Sequence, residues 1–299
     1  MWVRVGVRKE SPVRVPQGVT EGSYRCTIPL VRPSALTSKE RGGVGKDLSE
    51  GWSLNFAVGC SHGCPFCYVD AIHKRFGVSR YGKVVLKRWG DYLLVPENLS
   101  EAIDKTPWGH WRNIEVMMSS THDPYLPKLA SAARAILEHA LPAGVHLCIQ
   151  TRSYLVLKDI ELLAEHKSQV RLQVSIATAD REFARVIEPR VPSPDKRFEI
   201  LEKAKEAGLE TGVILAPIFP SVRARPDVQA DFEALTAELE RIKPDRIYGE
   251  SFHLRGPNVT LVREVLGEDF EPNGFDSVAA FHFRRTLRKH GLKGVWWPE

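Results

Sequence analysis

The sequence predicts an α/β protein, a partial barrel of six parallel strands joined by crossover helices, with an irregular N-terminal arm and a helical C-terminal tail. Two observations predict this fold. From residue 51 onward, short apolar runs alternate with helical patterns, which is typical of successive βα units around a parallel sheet. No Gly-x-Gly-x-x-Gly motif follows the first strand, which disfavours an open dinucleotide-binding sheet.

The six predicted strands are short apolar segments. A parallel barrel carries its functional residues at the carboxyl ends of its strands, in the βα loops, so we expect the functional site at that end. The strands cover residues 53–58, 114–119, 145–151, 170–176, 210–216 and 246–250.

Helical patterns fill the connections at residues 126–141, 155–166, 196–207 and 228–242. In the second, apolar residues recur at spacings of three and four, which gives one buried stripe against a sheet. Gly208 follows the third, where a glycine commonly ends a helix. A less regular pair of segments, 84–95 and 99–104, lies between the first two strands, and the tail carries helical patterns at 261–266 and 277–290.

We divide the chain into an arm (residues 1–50), the barrel (51–250) and a C-terminal helical extension (251–299). The arm is rich in Gly, Pro, Ser and Arg and lacks periodicity, which is typical of loops. Its segment RGGVGKD at 41–47 is similar to a phosphate-binding loop, but the upstream glycine is missing and Asp47 stands where Ser or Thr would bind magnesium. We therefore reject a nucleoside triphosphate site.

Composition excludes other classes of protein. The chain is 43% hydrophobic and 26% charged, which is normal for a globular protein with a sizeable core. It contains no run of about eighteen uncharged apolar residues, and its start, MWVRVGVRKE, has no apolar core of a secretory signal. We expect a cytoplasmic protein that does not span a membrane; the sequence gives no indication of its oligomeric state.

Three of the five cysteines, Cys60, Cys64 and Cys67, fall within eight residues just after the first strand. An odd number of cysteines, three of them this close together, disfavours a set of disulfides. It favours a metal site in a protein of a reducing compartment. Three thiolates this close can bind three corners of a [4Fe–4S] cube and leave the fourth iron open. Cys26 and Cys148 are interpreted first as small buried hydrophobic residues.

Zinc is the alternative metal for these cysteines. A structural zinc site normally has four protein ligands, so His62 or His73 would have to complete the set. His62 lies between two of the cysteines and cannot easily reach the same ion, and His73 falls on the helix predicted to follow. The spacing favours the iron–sulfur cluster.

The pattern Cys-x3-Cys-x2-Cys, with the aromatic Phe66 before the last cysteine, resembles that of the radical S-adenosylmethionine (SAM) superfamily. Other segments resemble the spore photoproduct lyase-like, or DNA repair photolyase-like, group: SSTHDPYLP at 119–127, IQTRSYLVLKDIELL at 149–163, SIATADREFARVIEPRVPSPDKR at 175–197 and ILAPIFP at 214–220. The resemblance implies a partial (β/α)6 barrel with a [4Fe–4S] cluster and SAM. Reductive cleavage of SAM would give methionine and a 5′-deoxyadenosyl radical that abstracts hydrogen from a substrate.

The resemblance also implies SAM-binding residues at successive strand ends. In the group, the end of the second strand contacts SAM, a basic residue after the third approaches the SAM carboxylate, and a serine on the fourth binds the ribose. The aromatic residue of the cysteine motif packs on adenine, and a Glu-Pro-Arg segment provides a charged pair that faces SAM or the substrate. Strand-end caps, a satisfied strand serine and a loop-fixing salt bridge are the structural alternatives. In the same order, the corresponding residues are Ser119, Ser120 and Thr121 for the second strand, Arg152 for the third, Ser175 for the fourth, Phe66 for the aromatic residue, and Glu188 and Arg190 for the charged pair.

Two residues are candidates for catalysis by this resemblance. Tyr68 matches a tyrosine of the group's radical relay, with a packing aromatic as the alternative. Spore photoproduct lyases are expected to place a hydrogen-donating cysteine in the segment that here contains Ser120, and serine does not donate a hydrogen atom readily. Reversal of thymine dimers by that route is therefore disfavoured. Cys148 shares strand parity with Gln150 and Arg152, so it is a candidate substitute that faces the barrel interior.

The expected substrate is a nucleic-acid base or a nucleotide. Residues 1–100 carry fifteen Lys and Arg against eight Asp and Glu, a net +7, whereas the rest carry 27 against 29; a basic region can meet an anionic partner, although an ordinary solvated surface is the alternative. A peptide or a small molecule is the alternative substrate. The hypothesis from another class is a non-catalytic, metal-stabilised nucleic-acid-binding protein. For an enzyme, the resemblance implies a reduced flavodoxin or ferredoxin as electron donor.

Overall fold

The structure, a computed structural model, describes residues 18–38, 45, 47–254, 256–268, 270–271 and 274–297. Most of the arm's segment 41–47 lies outside this part of the chain. The strands are β1 (Thr20–Tyr24), β2 (Val31–Pro33), β3 (Trp52–Leu54), β4 (Val58–Gly59), β5 (Tyr92–Pro96), β6 (Glu115–Met118), β7 (His146–Thr151), β8 (Val170–Ser175), β9 (Glu210–Ile218), β10 (Arg246–Ser251) and β11 (Val295–Trp297).

Ten α-helices lie in the described part of the chain. Short 3-10 helices at Gly82–Leu86, Trp108–Trp111, Tyr154–Asp159 and Lys167–Gln169 supplement them. The α-helices are α1 (Val69–Phe76), α2 (Val78–Tyr81), α3 (Leu99–Lys105), α4 (Ala130–Ala140), α5 (Ile160–Glu165), α6 (Arg181–Ile187), α7 (Pro194–Glu206), α8 (Val228–Ile242), α9 (Asn258–Leu266) and α10 (Phe275–Lys289).

The main sheet has eight strands in the order β11-β10-β9-β8-β7-β6-β3-β2. All neighbours are parallel except β2, which pairs antiparallel with β3 at the edge. Every residue of β8 is buried, as expected for a parallel strand covered on both faces. The six predicted parallel strands are confirmed as the central part of this sheet.

The first predicted strand, 53–58, is interrupted. Its first half is β3 in the main sheet, and its end is β4, which pairs antiparallel with β5 in a separate three-stranded sheet. Asn55 lies between them and directs its side chain to the loop after β6. Gly59 has φ +90°, and a Cβ there would lie 2.3 Å from the Tyr92 carbonyl oxygen, so glycine permits this close approach.

Polar caps define the helices after β8. Asp180 caps α6, a helix that the sequence patterns did not predict, by accepting from the Glu182 and Phe183 amides. Ser193 precedes Pro194 at the start of α7, a favoured N-terminal pair, and Gly208, with φ +77°, follows its end as predicted. The predicted helix 155–166 is a 3-10 helix that continues into α5.

Both ends of the chain contribute to the sheets more than predicted. The arm supplies β1, which pairs with β5, and β2. The two helical patterns of the tail are α9 and α10, but the tail also supplies a strand, β11, which extends the parallel sheet beside β10. Trp297 of β11 stacks on Tyr248 at 4.6 Å and donates from Nε1 to Asp47 Oδ2 at 3.2 Å. No helix in the described residues is long and apolar enough to cross a membrane.

The barrel interior is packed with apolar side chains from successive strands. Met117, Cys148, Ile214, Tyr248 and Trp297 belong to one buried cluster there. Because β6, β7, β9 and β10 run parallel in this sheet, their carboxyl ends meet at the same edge, and polar side chains gather there above the apolar cluster.

Candidate active site

A cavity of ≈ 210 Å³ lies at the carboxyl ends of the parallel strands. Its wall combines the loop that carries the three cysteines with residues at or just after the ends of β6, β7, β8 and β10. This is the end at which the sequence predicts the site. Predicted residues in the wall are Cys60, Cys64, Phe66, Cys67, Tyr68, Ser119, Ser120, Thr121, Arg152 and Ser175.

The cysteine loop is folded by two tight turns. The Gly63 amide donates to the Cys60 carbonyl at 3.2 Å, and the Cys67 amide donates to the Cys64 carbonyl at 3.1 Å. Gly63 has φ +62°, a left-handed conformation that favours glycine. Burial raises the pKa of the Cys60 thiol to about 11 and that of Cys67 to about 12. The turns thus bring three thiols to one cavity wall.

The donor set fits an iron–sulfur cluster held through separate irons. Each thiolate of such a cluster binds its own iron, so the sulfurs need not converge on one point. In the described part of the chain, no three His, Cys, Asp or Glu side chains form a single-ion site. The zinc alternative needs His62 or His73, but one ring nitrogen of each is directed elsewhere, to Asp123 Oδ2 at 3.6 Å and to the Tyr92 hydroxyl at 3.0 Å.

Asn55 organises the loop after β6, a role that the sequence analysis missed. Its Oδ1 accepts from the Ser120 amide at 2.9 Å, the Thr121 amide at 3.2 Å and the Ser119 hydroxyl at 3.0 Å. Its Nδ2 donates to Ser120 Oγ at 3.0 Å. The predicted SAM-contacting residues Ser119, Ser120 and Thr121 are thus held as one unit in the cavity wall.

Asp123 joins the ends of β6 and β7, and it was also missed. Its carboxylate accepts from the Thr151 hydroxyl at 2.7 Å, the Arg152 amide at 2.7 Å and the Tyr125 amide at 2.9 Å. The carboxylate is buried. Three hydrogen bonds satisfy it without a cation, and they fix the backbone from which the Arg152 side chain enters the cavity wall.

Arg152, Glu188 and Arg197 form a buried charged triad. Arg152 Nε donates to Glu188 Oε1 at 2.9 Å, and Arg197 Nη2 donates to Glu188 Oε2 at 2.6 Å. Burial alone would raise the pKa of Glu188, but the attraction of Arg197 and Arg152 and their hydrogen bonds hold it below its usual value. Arg197 also donates to the Ser175 carbonyl. With two guanidinium groups and one carboxylate, the triad carries a net charge of +1 beside the thiols.

The predicted pair of Glu188 and Arg190 is not formed. Arg190 turns away from the cavity and donates to the Gly90 carbonyl at 2.8 Å and to Asp91 Oδ1 at 3.2 Å. Glu188 is directed instead at the two arginines of the triad. Neither residue contributes to the cavity wall; Glu188 lies behind Arg152.

Ser175 lines the cavity beside Gln150, whose Nε2 donates to Ser175 Oγ at 3.3 Å. Gln150 Oε1 and His122 Nε2 are buried and have no hydrogen-bond partner in the described part of the chain, and both residues line the cavity. Burial lowers the pKa of His122 to about 3, so its ring is neutral. Buried polar atoms without partners are costly, and a polar ligand in this cavity would satisfy them.

Phe66 belongs to an aromatic cluster with Phe219, Phe252 and other buried residues behind the cysteine loop. The Arg152 guanidinium lies over the Phe66 ring, 5.7 Å from its centroid. Asn258, at the start of α9, donates to the Phe66 carbonyl at 3.1 Å. The tail therefore holds the aromatic residue of the cysteine motif in the cavity wall.

The two predicted catalytic residues lie at different depths. The Tyr68 hydroxyl donates to the Ser120 carbonyl at 2.6 Å, in the cavity wall. Cys148 is fully buried in the apolar cluster below the cavity, and burial raises the pKa of its thiol to about 11. It faces the barrel interior, as its strand parity predicts, but it is not part of the cavity wall.

Comparison with known proteins identifies the family. The family model of the radical SAM superfamily matches residues 54–226. The chain belongs to the radical SAM superfamily. It is therefore an enzyme that uses a [4Fe–4S] cluster and SAM, and membership of the family favours this over the non-catalytic alternative.

Relatives of this radical SAM chain occur in viruses, archaea and bacteria. The uncharacterized protein ORF301 of Acidianus two-tailed virus is 54% identical over 282 residues, 94% of each chain. An uncharacterized protein of Methanocaldococcus jannaschii is 30% identical over 56% of this chain and 61% of its own. Among solved structures, spore photoproduct lyase in a variant with bound dinucleoside spore photoproduct has a TM-score of 0.62 at 16% identity, covering 92% of this chain and 80% of the lyase. This likeness supports the predicted fold.

Proposed function

We propose that Cys60, Cys64 and Cys67 hold the [4Fe–4S] cluster of this radical SAM enzyme, that SAM binds in the adjoining cavity, and that the substrate is a nucleic-acid base or a nucleotide. The observation that carries the proposal is the arrangement of one cavity wall, in which the three thiols lie beside Arg152 of the buried triad. When bound, the cluster supplies the electron that cleaves SAM to methionine and a 5′-deoxyadenosyl radical.

The triad directs the Arg152 guanidinium toward the cavity in which we place SAM. Glu188 holds Arg152 through Nε, and Nη2 also donates to the Ala216 carbonyl at 3.4 Å. The remaining N–H groups of the planar guanidinium are available to a carboxylate. The net positive charge of the triad favours both the SAM carboxylate and the negative charge of a thiolate-bound cluster. Arg152 replaces the lysine usual in the group, and Glu188, itself held by Arg197, keeps Arg152 paired while it faces the cavity.

Other cavity residues match the chemistry of an adenosyl group. Ser175 and Gln150 offer hydroxyl and amide groups at the end of β7 and β8, where ribose hydroxyls could donate to the unpartnered Gln150 Oε1. Phe66 offers an aromatic surface for adenine. The aromatic cluster behind Phe66 excludes water from this side of the cavity, which protects a radical from side reactions.

A nucleic-acid substrate is supported by the basic N-terminal third of the chain and by the fold likeness to a lyase whose structure contains a dinucleoside photoproduct. The departure at Ser120 remains, so the proposed reaction is hydrogen abstraction from a base or nucleotide and not the thymine-dimer reversal of that lyase. Tyr68, whose hydroxyl is directed at the Ser120 carbonyl, is the proposed relay residue.

The experiment measures 5′-deoxyadenosine formed by the reconstituted enzyme with dithionite and SAM, in the presence of single-stranded oligonucleotides, mononucleotides or a mixed peptide library. Deuterium from a perdeuterated nucleotide pool should appear in 5′-deoxyadenosine. Deuterium transfer from labelled peptides, with none from nucleotides or oligonucleotides, would overturn the substrate assignment.

A further inference from the structure

A second cavity, of ≈ 330 Å³, lies between the N-terminal segment and helices α1 and α2. Tyr24, Phe76 and Tyr81 contribute aromatic side chains to its wall. Thr121 lines both this cavity and the cavity at the cysteines. The loop that Asn55 holds is therefore the partition between the two spaces, and a ligand in the second cavity would lie next to the proposed reaction site.

The surface around the second cavity is strongly basic. Residues 69–90 contain six Lys and Arg and one Asp, a net charge of +5 that equals the net charge of the whole chain. Arg32, Arg75, Arg80 and Lys83 are exposed, and in the described part of the chain none of them is paired with a carboxylate. Four exposed, unpaired cations on or beside the wall of one cavity are typical of a surface that binds an anionic partner.

Aromatic rings, one exposed and two half-buried, accompany these cations. The Phe76 side chain is 65% exposed, and the Arg75 guanidinium lies over its ring at 5.0 Å. Arg80 lies over Tyr81 at 5.4 Å, and Tyr81 packs edge-on against Tyr24 at 5.1 Å. Alternating aromatic and guanidinium planes beside a cavity provide the surfaces on which nucleobases stack while the cations meet phosphates.

We propose that this surface binds single-stranded nucleic acid, with one unstacked base in the second cavity and the adjacent phosphates on Arg32, Arg75, Arg80 and Lys83. The proposal rests on the proposed nucleic-acid substrate. In it, this surface holds the part of the strand that flanks the reacting nucleotide. A nucleobase is preferred to an acidic protein because the cavity is concave, lined by aromatic rings and separated from the reaction cavity by a single loop. A single strand is preferred to a duplex because a duplex would first have to unpair and unstack the base that enters the cavity.

The test is fluorescence anisotropy with a labelled twelve-nucleotide single strand and the reconstituted full-length protein. Four phosphate contacts on a single strand predict a salt slope of about −2.8, or about fifty-fold weaker binding at about 200 mM than at about 50 mM salt. The double variant R80Q/K83Q should lower the slope by about 1.4. Phe76→Ala should weaken binding by about fivefold or more with the slope unchanged, because it removes stacking and not charge.

The matched control is R285Q/K293Q, which removes two exposed cations of the C-terminal region, one on α10 and one after it, and should leave the slope and the affinity unchanged. Thermal unfolding of each variant checks its fold. Equal loss in the control, or wild-type binding by R80Q/K83Q, would overturn the proposal. It would also be overturned if no oligonucleotide bound while R80Q/K83Q slowed cluster reduction by flavodoxin. Dithionite-driven SAM cleavage by the wild-type protein, measured without oligonucleotide, tests the proposed function separately.

Discussion

Substitution of Glu188 tests the buried triad most sharply. Glu188→Gln keeps the shape of the side chain but removes the negative charge between Arg152 and Arg197, whose side chains are 22% and 0% exposed. Removing one partner of a buried ion pair costs about 3–5 kcal/mol because it leaves uncompensated charge in the interior. Because Arg152 retains some contact with solvent, we expect the lower end, about 3 kcal/mol of unfolding free energy.

The assay is denaturant unfolding of the cluster-free protein, together with the affinity of the reconstituted protein for SAM. Glu182→Gln is the matched control, since Glu182 pairs with Arg185 at the surface, where both side chains are more than 70% exposed. Exposed pairs contribute about 0–1 kcal/mol. SAM affinity should fall in Glu188→Gln only, because Arg152 loses its orientation. A loss of unfolding free energy in Glu188→Gln no larger than in Glu182→Gln would contradict a role for Glu188 in compensating the two arginines.

The same carboxylate makes stability depend on pH. The folded state holds the pKa of Glu188 below its usual value, whereas the unfolded chain titrates near about 4.3. Its contribution is therefore complete above about pH 5 and is lost as the pH falls through the lower folded pKa. The difference in unfolding free energy between the wild type and Glu188→Gln should shrink over this acid range; a difference that grew on acidification would contradict the sign.

The remaining predictions concern the loop after β6 and the cluster. Asn55→Ala should weaken SAM binding about tenfold, since it removes the acceptor shared by the Ser119–Thr121 loop; Asn55→Asp keeps an acceptor oxygen and should retain most of the affinity in calorimetric titration. Cys60→Ala should lose the iron and sulfide of reconstituted protein, whereas Cys26→Ala should keep both; equal iron content in the two variants would contradict the ligand assignment.

The sequence predicted the parallel core because short apolar segments alternate with helical patterns, as the apolar run within β9 shows. It missed elements that depend on distant partners. The strand β11 has only three residues. It is held in place by Trp297, which stacks on Tyr248 and donates a hydrogen bond to Asp47. The break between β3 and β4 likewise arises from the long-range hydrogen bonds of Asn55, which no local pattern reveals.

In the site, residue spacing predicted the cysteine motif, whose members are close together in the sequence. The order of the predicted strands placed Arg152 and Ser175 at neighbouring strand ends. The missed residues act through tertiary hydrogen bonds. Asp123 lies in the segment SSTHDPYLP after β6, and Arg197 ends the segment 175–197. Both segments resemble the family, but the resemblance does not reveal the hydrogen-bond partners of these two residues. Arg190 was wrongly predicted for the opposite reason. It is close to Glu188 in the sequence, but in the fold Glu188 pairs with Arg197 and Arg152.

In the proposed function, three cysteines and a buried triad together build one SAM-cleaving site. The most direct measurement is 5′-deoxyadenosine formation after anaerobic reconstitution with iron and sulfide and reduction with dithionite in the presence of SAM. We expect 5′-deoxyadenosine and methionine in equal amounts from the wild type, and neither from Cys64→Ala. Full iron and sulfide loading of the wild type without any 5′-deoxyadenosine would contradict it.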